Sequence, residues 1–448
     1  MGQEYAQKRI LIIGLGMSGI SAARFLLQQK ALVWGIDQNY PKLINNPAIE
    51  ELCAQGLQFI QQIQLPPLET FQTIVISPGV PLTHPLLKMA EEHSIEVLGE
   101  IELAFRALKN PLIGITGTNG KTTVTLLVTH VLNEAGITAK AVGNIGEPLS
   151  EEIFGNPKTA LIVELSSFQL ETLTSPCLDA GVILNITPDH LDRYNTMEKY
   201  AAAKMHIYKC LKPQGTLYME ERAYQNYGAL MTDFAPKLYG YAKTSHLYTD
   251  LNHLYIQKNV DSMLPLNYRG SKSHMLENLM ATYSLCKEMG IDAEQFWRGV
   301  STFKIPPHRI EKIRTLEGVA FYNDSKGTNI DAVIRAIETL KGPVILIAGG
   351  IDKGTDFSPW IQAFADQVKH ICVIGQAADK IEKTLSHQFN VHKCESLSDA
   401  VKCASSLAYP GDNVLLSPGC ASFDMFENYA HRGIVFSDTV NALTCIQK

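Results

Sequence analysis

Hydrophobic and polar positions follow two periods, which alternate along the whole chain. Short apolar runs typical of buried strands are followed by amphipathic patterns typical of helices, and this alternation predicts an α/β protein with parallel sheets. Near the start, strands are predicted over 8–13, 31–36 and 73–76, and a helix over 20–29. These elements predict a Rossmann-like domain that ends near Gly99.

The same alternation continues through the middle of the chain, where a weaker stretch, residues 215–270, is expected to add further strands. The clearer elements are a helix over 100–107, a strand over 111–115, a helix over 122–135, strands over 160–165 and 180–184, and a helix over 197–210. Together they predict a central α/β domain with a mostly parallel sheet.

A hinge is predicted at Ile305-Pro-Pro-His-Arg309, because paired prolines prevent helix formation and stiffen the chain. Beyond it, helical patterns separate strands that are predicted over 319–322, 344–348, 371–374 and 413–416. These elements predict a third α/β domain. We therefore predict three domains, which cover residues 1–99, 100–305 and 306–448.

Composition and charge narrow the class of protein. The 448 residues are 46% hydrophobic and 19% charged, which is typical of a globular protein of several domains. A net charge of −6 argues against nucleic-acid or anionic membrane partners, and no apolar run is long enough for a membrane span. The 9 cysteines form no C-x-x-C pair, so we expect free thiols in a reducing cytoplasm rather than disulfides or a zinc site.

The most specific motif follows the strand predicted over 111–115. Gly114-Ile-Thr-Gly-Thr-Asn-Gly-Lys-Thr-Thr123 leads from that strand into a helix, as a phosphate-binding loop does. Backbone N–H groups and the helix N-terminus would hold anionic oxygens, Lys121 would neutralise phosphate charge, and Thr122 would ligate Mg²⁺. The strict G-x-x-x-x-G-K-[ST] pattern requires glycine at position 115, where isoleucine stands, so the loop is a variant. A flexible glycine turn is the alternative.

A second glycine motif, Gly14-Leu-Gly-Met-Ser-Gly19, follows the first strand, and Asp37 ends the second. This spacing is the fingerprint of dinucleotide-binding folds and, taken alone, suggests NAD. Because any anionic group can lie at that helix N-terminus, the motif indicates a Rossmann-like domain more firmly than it names a ligand. A later turn, Ser77-Pro-Gly-Val80, would let a ligand approach the backbone at Gly79.

Two polar stretches follow strands of the central domain. They are Glu164-Leu-Ser-Ser-Phe-Gln169 and Asn185-Ile-Thr-Pro-Asp-His-Leu-Asp-Arg-Tyr194. Ligands of parallel sheets lie at the carboxyl ends of strands, so Glu164, Asp189 and His190 are candidates for metal or phosphate chemistry. A solvent-facing carboxylate and an Asp-His turn are the alternatives. In the next helix Lys204 follows three alanines, and the pattern alone favours a surface lysine with its ammonium in water.

Two turns of the last domain also carry polar groups. Gly349-Gly-Ile-Asp-Lys353-Gly places a cation after a strand, and Ser417-Pro-Gly-Cys-Ala-Ser422-Phe places two hydroxyls and backbone amides before a helix. Either turn could hold a carboxylate. The alternative for each is an ordinary glycine-rich turn.

Three α/β domains in this order, with these motifs, resemble the Mur ligases over essentially the whole chain. The stretches that carry the resemblance are Gly114–Thr123, Gly143–Gly146, Glu164–Gln169, Asp189–Tyr194, Ala202–Tyr208, His308-Arg309, Asn323–Asn329 and Ser417–Phe423. The resemblance implies an N-terminal Rossmann-like domain for a uridine nucleotide rather than NAD, a central P-loop ATPase-like domain, and a C-terminal Rossmann-like domain for an amino acid.

The resemblance also implies an activity. It is the ATP-dependent joining of D-glutamate to UDP-N-acetylmuramoyl-L-alanine through an acyl phosphate, which yields ADP and phosphate, during peptidoglycan synthesis. ATP and two Mg²⁺ ions are the implied cofactors. The chain is expected to work in the cytoplasm as a monomer, without nucleic-acid or membrane partners.

Residue roles follow from the resemblance, position by position. The implied catalytic residues are Lys121, Glu164, His190 and Lys204, the last as an N-carboxylated lysine. The implied metal ligands are Thr122, Glu164, His190 and carboxylated Lys204. The implied ATP-binding residues are Gly117, Thr118, Asn119, Gly120, Lys121, Thr122, Thr123, Asn278, Arg309 and Asp324. For the UDP-linked substrate they are Met17, Ser18, Asp37, Gly79, Asn144 and His190, and for D-glutamate Thr328, Lys353, Ser417, Ser422 and Phe426.

Some positions depart from the family pattern. Met275 stands where an asparagine near adenine is usual, and Gln38-Asn39 replaces a usual Thr-Arg pair, so nucleotide recognition is expected to differ there.

Three alternative functions remain. The first is a related Mur or folylpolyglutamate-type ligase with another acceptor, of which the folylpolyglutamate type would lack the N-terminal Rossmann-like domain. An NAD oxidoreductase would leave the Lys121 loop without a purpose. A nucleotide switch would need an N-K-x-D guanine motif, which the sequence lacks.

Overall fold

The computed structural model describes residues 4–270, 272–352, 354–364 and 366–445. They form three β-sheets with helices, which confirms the predicted α/β class and three-domain architecture. By its internal contacts the chain divides into two compact units: residues 1–185 with 201–303, and residues 186–200 with 304–448. The first unit holds two sheets and the second unit holds one. The boundaries after residues 99 and 305 stay a prediction.

The first sheet consists of five parallel strands. In chain order they are β1 (Arg9–Ile13), β2 (Leu32–Ile36), β3 (Gln58–Phe59), β4 (Thr73–Ile76) and β5 (Glu96–Gly99). Their spatial order is β3-β2-β1-β4-β5. The helices are α1 (Met17–Gln28), α2 (Tyr40–Leu43), α3 (Pro47–Ala54) and α4 (Pro85–Glu92). The three predicted strands are confirmed, and the predicted helix is α1. Strand β5 was not predicted, since its apolar run, Val97-Leu98, is only two residues long.

The second sheet has nine strands and surrounds the candidate phosphate loop. Its strands are β6 (Leu112–Thr116), β7 (Ala139–Gly143), β8 (Ala160–Glu164), β9 (Leu178–Ile183), β10 (Leu211–Glu220), β11 (Lys237–Gly240), β12 (Leu247–Thr249), β13 (His253–Ile256) and β14 (Asn259–Met263). Their order is β14-β13-β12-β11-β10-β9-β6-β8-β7. Only the β12–β13 and β13–β14 pairs are antiparallel, so the mostly parallel sheet and the strand-rich stretch over 215–270 are confirmed.

Helices are interspersed with these strands along the same part of the chain. They are α5 (Glu100–Ala107), α6 (Lys121–Glu134), α7 (Ser167–Leu170), α8 (Leu191–Tyr194, in the second unit), α9 (Met197–Met205), α10 (Glu221–Tyr227), α11 (His274–Glu288) and α12 (Ala293–Thr302). Helix α6 packs against α11 and α12. The helix predicted over 197–210 is confirmed as far as Met205, after which His206–Cys210 tightens into a 3₁₀ helix.

The third sheet has six strands and belongs to the second unit. They are β15 (Glu311–Leu316), β16 (Val319–Asn323), β17 (Val344–Gly349), β18 (Val368–Ile374), β19 (Asn390–Lys393) and β20 (Asn413–Leu416), in the order β15-β16-β20-β17-β18-β19. Only β15 is antiparallel to its neighbour. The helices are α13 (Ile330–Thr339), α14 (Pro359–Phe364), α15 (Ala378–Leu385), α16 (Leu397–Leu407) and α17 (Tyr429–Ala442). Apolar side chains bury both faces of the sheet, as expected for parallel strands.

Candidate active site

The predicted phosphate loop forms the turn between β6 and α6. Gly120 has φ +88° and caps α6, and Gly117 has φ +149°. Glycine adopts these values without the steric cost that a Cβ atom would add. Thr122 and Thr123, in the first turn of α6, are buried. The loop therefore presents a helix N-terminus beyond a parallel strand, which is the arrangement that binds phosphate groups.

Two lysines converge on this loop. The Lys121 ammonium donates to the carbonyl oxygens of Gly117 and Thr118, each at 2.9 Å. The Lys204 ammonium donates to the same Gly117 carbonyl at 2.8 Å. Lys204 is only 1% exposed, so the interpretation as a surface lysine is wrong. Two cations that share one acceptor create a local positive potential, which favours an anionic ligand at this turn.

Asn185 fixes the other side of the loop, and the sequence analysis did not select it. Its backbone carbonyl accepts from the Thr118 N–H at 2.8 Å, and its side-chain oxygen accepts from the Asn119 N–H at 2.8 Å. Its side-chain amide donates to the Asn119 carbonyl at 3.0 Å. The signal for Asn185 in the sequence was its position at the carboxyl end of the strand that forms β9, which is the neighbour of β6.

The predicted nucleotide residue Asn278 lies in α11, against the same loop. A Cβ atom at Gly120 would lie 2.5 Å from Asn278 Oδ1, so the two positions are in close contact. Met275 lies one turn earlier in α11 and packs, partly buried, against the core of the central domain. The loop, Asn185 and Asn278 thus form one side of the candidate ATP site.

Glu164 ends β8, which also pairs with β6, and is 2% exposed. Its Oε1 accepts from Asn144 Nδ2 at 2.9 Å, and the Asn144 N–H donates to the Glu164 carbonyl at 2.9 Å. Its Oε2 is buried and has no hydrogen-bond partner among the described residues. Burial of an unpartnered carboxylate oxygen is costly unless a cation binds it. The residues present therefore fit Mg²⁺, which prefers oxygen ligands.

Asp189 and His190 lie in the second unit, in the turn before α8. His190 has φ +53°, and its backbone N–H donates to Asp189 Oδ1 at 2.9 Å. Its Nε2 lies 3.6 Å from Asp189 Oδ2, so the two side chains are close neighbours. The left-handed conformation of His190 is uncommon at residues other than glycine.

Asp324 and Ser417 follow neighbouring strands of the third sheet, β16 and β20. The Ser417 hydroxyl donates to Asp324 Oδ2 at 2.7 Å, and the Ile310 N–H donates to Oδ1 at 3.3 Å. Burial raises the pKa of Asp324 to about 7, against the opposing effects of the Ser417 hydrogen bond and the Arg309 charge. A residue predicted for ATP and one predicted for D-glutamate are therefore direct partners.

The other predicted D-glutamate residues belong to the same unit. Ser422 is buried, whereas Thr328 and Phe426 are partly exposed. Lys353 lies outside the described residues.

Arg432, in α17, holds the loop and was missed by the sequence analysis. Its guanidinium donates to the Ser325 hydroxyl at 3.0 Å, the Ser325 carbonyl at 2.9 Å and the Cys420 carbonyl at 3.1 Å. Arg432 is 1% exposed, and burial lowers its pKa to about 10. It ties the segment after β16 to the segment after β20. No local pattern in the sequence marks this role.

The first sheet has a cavity of about 360 Å³ at the carboxyl ends of β1 and β2. Its lining residues are Ile13, Gly14, Gly16, Ile36, Asp37, Gln38, Asn39, Gln62, Ser77, Gly79, Val80, Pro81 and His84. Predicted residues Asp37 and Gly79 are among them, but Met17 and Ser18 are not. The Asp37 carboxylate accepts from the backbone N–H groups of Leu15 at 2.8 Å and Asn39 at 2.7 Å, so it also orders the glycine loop.

Family models match three successive segments of the chain. The Mur ligase MurD-like N-terminal domain matches residues 8–99, the Mur ligase middle domain 115–283, and the Mur ligase glutamate ligase domain 308–420. The phosphate loop within the middle segment agrees with an ATP-dependent ligase. The chain belongs to the Mur ligase family.

Two full-length relatives carry the same name. UDP-N-acetylmuramoylalanine--D-glutamate ligase of Protochlamydia amoebophila is 49% identical over 442 residues, which cover 98% of this chain and 99% of the relative. The protein of that name from Caldanaerobacter subterraneus subsp. tengcongensis is 38% identical, with coverage of 98% and 99%. The relatives therefore match all three domains.

Solved structures support the fold. UDP-N-acetylmuramate-alanine ligase MurC from Thermotoga maritima matches with a TM-score of 0.59 and 15% identity, over 97% of this chain and 99% of that one. The helices of the described residues were also compared with the length of a membrane span. None of them is both long enough and apolar enough to cross a membrane.

Proposed function

We propose that this enzyme joins D-glutamate to UDP-N-acetylmuramoyl-L-alanine, with conversion of ATP to ADP and phosphate, in peptidoglycan precursor synthesis. The observation that carries the proposal is the 49% identity over 98% of the chain to a ligase named for this reaction. The phosphate loop and the buried Glu164 supply a physical basis for ATP use.

ATP would bind with its phosphates at the N-terminus of α6. Backbone N–H groups of residues 117–123 would hold the oxygens, and Lys121 would turn from the loop carbonyls to the phosphate charge. Asn278, Arg309 and Asp324 would contact the rest of the nucleotide. When bound, Mg²⁺ ions would neutralise charge on the phosphate oxygens. Glu164, Thr122, His190 and carboxylated Lys204 would hold two such ions.

The reaction would proceed in two steps. The substrate carboxylate attacks the γ-phosphate, and Lys121 stabilises the charge that develops on the transferred group. The amine of D-glutamate then attacks the resulting acyl phosphate, a new amide forms, and phosphate leaves. Because an acyl phosphate hydrolyses in water, the site must exclude solvent between the two steps.

We propose further that Lys204 is N-carboxylated by CO₂. A lysine ammonium has three donors and no acceptor, so it cannot ligate a metal, whereas a carbamate supplies oxygen ligands. The burial of Lys204 and the acceptor that it shares with Lys121 support this proposal. Carboxylation would replace repulsion between two cations by attraction between a carbamate and an ammonium.

The UDP part of the substrate would occupy the cavity of the first sheet. Asp37, Gly79, Met17 and Ser18 are the expected contacts, and Asn144 and His190 would meet the muramoyl part. Gln38 and Asn39 line the cavity, so they would contribute to nucleotide recognition in place of the usual Thr-Arg pair. NAD, which the glycine motif taken alone suggests, is the ligand against which this assignment is tested.

D-Glutamate would bind in the C-terminal domain. Lys353 would pair with one of its carboxylates, while Thr328, Ser417, Ser422 and Phe426 would complete the site. We propose that the enzyme acts in the cytoplasm as a monomer, without nucleic-acid or membrane partners.

The direct test is a reconstituted reaction. Purified protein is supplied with ATP, Mg²⁺, UDP-N-acetylmuramoyl-L-alanine and D-glutamate, and ADP, phosphate and the amide product are measured. We expect all three in equal amounts, and no product when either D-glutamate or ATP is omitted. Isothermal titration with the UDP-linked substrate and with NAD separates the two cavity ligands. Tight NAD binding without a response to the UDP-linked substrate would contradict the proposal.

A further inference from the structure

Three cysteines from different elements of the fold converge at the third sheet. Cys372 lies in β18, Cys394 follows β19, and Cys403 lies in α16. Their Sγ atoms all lie within 4.8 Å of one another. Within the described part of the chain, no other group of three or more His, Cys, Asp or Glu ligand atoms lies as close together. No zinc site was expected from the sequence, because the cysteines form no C-x-x-C pair and their spacing along the chain does not show which of them meet in the fold.

The backbone around the three thiols is well fixed. Strands β18 and β19 are parallel neighbours, and the Cys394 N–H donates to the Val373 carbonyl at 2.9 Å, one residue beyond β19. Helix α16 packs against β18. Cys372 is fully buried, whereas Cys394 and Cys403 are partly exposed. The cluster is therefore preorganised and open to solvent on one side.

We propose that Cys372, Cys394 and Cys403 bind a thiophilic divalent metal ion of the Zn²⁺ class, with water at the fourth position. Zinc–sulfur bonds of about 2.3 Å place the sulfurs of a tetrahedral site about 3.8 Å apart. The three sulfurs all lie within 4.8 Å of one another, so small side-chain rotations complete the site. Three thiolates and one divalent ion carry a net charge of −1, and binding releases the thiol protons.

A metal ion can bind all three of these sulfurs, whereas a disulfide can join only two of them. A disulfide joins two sulfurs at about 2.0 Å and leaves the third thiol unused. Thiolates are the form that ligates metals, and binding of the ion displaces the thiol protons.

Cobalt substitution tests this site without reference to ligase activity. Full-length untagged protein, reduced and freed of metal with a chelator, is titrated with Co²⁺. We expect thiolate-to-cobalt charge transfer in the near ultraviolet, intense visible bands of a tetrahedral ion, and saturation at one ion per chain. Co²⁺ at the ATP site would have oxygen ligands and would produce no thiolate charge transfer. Zn²⁺ should then displace Co²⁺ and bleach the bands.

Matched serine variants assign the ligands. Cys394→Ser and Cys403→Ser, which change partly exposed thiols, should each weaken Co²⁺ binding at least tenfold. Cys53→Ser, which is exposed, and Cys286→Ser, which is buried in α11, should bind as the parent protein does. Circular dichroism and ADP formation verify that every variant is folded. The proposal is overturned if the reduced parent protein shows no thiolate charge transfer, if both cluster variants retain it, or if only a disulfide forms on air oxidation.

Discussion

Glu164 and Asn144 hold each other through two hydrogen bonds, one between side chains and one between backbones, each at 2.9 Å. The side-chain bond occupies Oε1 and leaves the buried Oε2 of Glu164 without a partner among the residues described. Asn144 thus orients the carboxylate so that one oxygen is available for a cation. Through this pair, the turn after β7 positions the carboxylate at the end of the neighbouring strand, β8.

The first prediction concerns this pair. Asn144→Ala should raise the Mg²⁺ concentration for half-maximal ATP turnover by about 10- to 100-fold, because partners that orient metal ligands have effects of this size. Glu164→Gln should reduce kcat further, since the ligand itself loses its charge. Glu134→Gln, an exposed change in α6, is the control and should leave both values unaltered. An unchanged Mg²⁺ requirement in Asn144→Ala would contradict the role of the pair.

The second prediction compares glycine-to-alanine changes at the two ends of α6, in order to separate the effect of backbone strain from the loss of ATP turnover. Gly120 and Gly136 flank this helix with similar φ values, +88° and +85°. A Cβ at Gly120 would lie 2.5 Å from Asn278 Oδ1, whereas a Cβ at Gly136 would meet no atom within 4 Å. Each alanine variant should lose about 1–2 kcal/mol of unfolding free energy through strain.

Only Gly120→Ala should also lose ATP turnover, since it displaces the phosphate loop from Asn278. Urea unfolding and ADP release, measured on both variants, check this. Equal turnover in Gly120→Ala and Gly136→Ala would show that the loop tolerates the displacement.

The elements were predictable because each carries its own pattern. Strands such as Thr73–Ile76 and Asn413–Leu416 were predicted to the residue, since an uninterrupted apolar run between turns defines a buried parallel strand. The phosphate loop was predictable for a related reason. Its glycines, Lys121 and Thr122 are adjacent in the sequence, so chemistry and spacing coincide.

Residues that act across the fold were not predictable in this way. Asn185 clamps the loop from another strand, and Arg432 joins two loops from the last helix. Cys372, Cys394 and Cys403 meet only because β18, β19 and α16 are neighbours. In each case at least one partner belongs to a different element of the fold, and the residue type alone does not indicate a partner. Lys204 shows the opposite error, because its helical pattern suggested the surface while packing buries it.

The third prediction concerns pH. Burial raises the pKa of Asp324 from 3.8 to about 7 in the folded state. The folded protein therefore binds this proton more tightly than the unfolded chain does. Its contribution to stability is fully present below pH 3.8 and is lost as pH rises to about 7.

Asp324→Asn should abolish this part of the pH dependence. Urea unfolding at pH 5 and pH 8 should show a larger loss of stability in the parent protein than in the variant. Asp438→Asn, which changes an exposed carboxylate in α17, should behave as the parent protein does. Parallel pH dependence in the parent protein and Asp324→Asn would refute the shift.

The fourth prediction concerns Arg432. Arg432→Ala removes three hydrogen bonds from a buried cation and leaves the Ser325 and Cys420 carbonyls without that donor. Hydrogen bonds to charged groups contribute about 1.5–3 kcal/mol each, so we expect a loss of at least about 3 kcal/mol. Arg298→Ala, an exposed change in α12, should cost less than about 0.5 kcal/mol.

Because Arg432 positions the loop over 417–423, the KM for D-glutamate should rise more in Arg432→Lys than the KM for ATP. Lysine keeps the charge but cannot donate from three fixed nitrogens. Chemical denaturation and substrate titrations measure the two effects. If both KM values change equally, Arg432 stabilises the domain without positioning the acceptor loop.

The last prediction tests the carboxylation of Lys204. Lys204 and Lys199 lie in the same helix, α9, but Lys204 is 1% exposed and reaches the Gly117 carbonyl, whereas Lys199 is exposed. Lys204→Ala should reduce kcat at least about 100-fold, because a metal ligand would be lost. Lys199→Ala should retain normal turnover.

Short carboxylic acids should partly restore Lys204→Ala, since an acid that enters the vacated space replaces the oxygens of a carbamate. They should not stimulate Lys199→Ala or the parent enzyme. Independently, removal of CO₂ at mildly acidic pH should lower the activity of the parent enzyme, and bicarbonate should restore it, because carbamate formation is reversible. If Lys204→Ala is inactive but responds to no acid, and the parent enzyme is indifferent to CO₂, the ammonium of Lys204 acts by holding the Gly117 carbonyl and the lysine is not carboxylated.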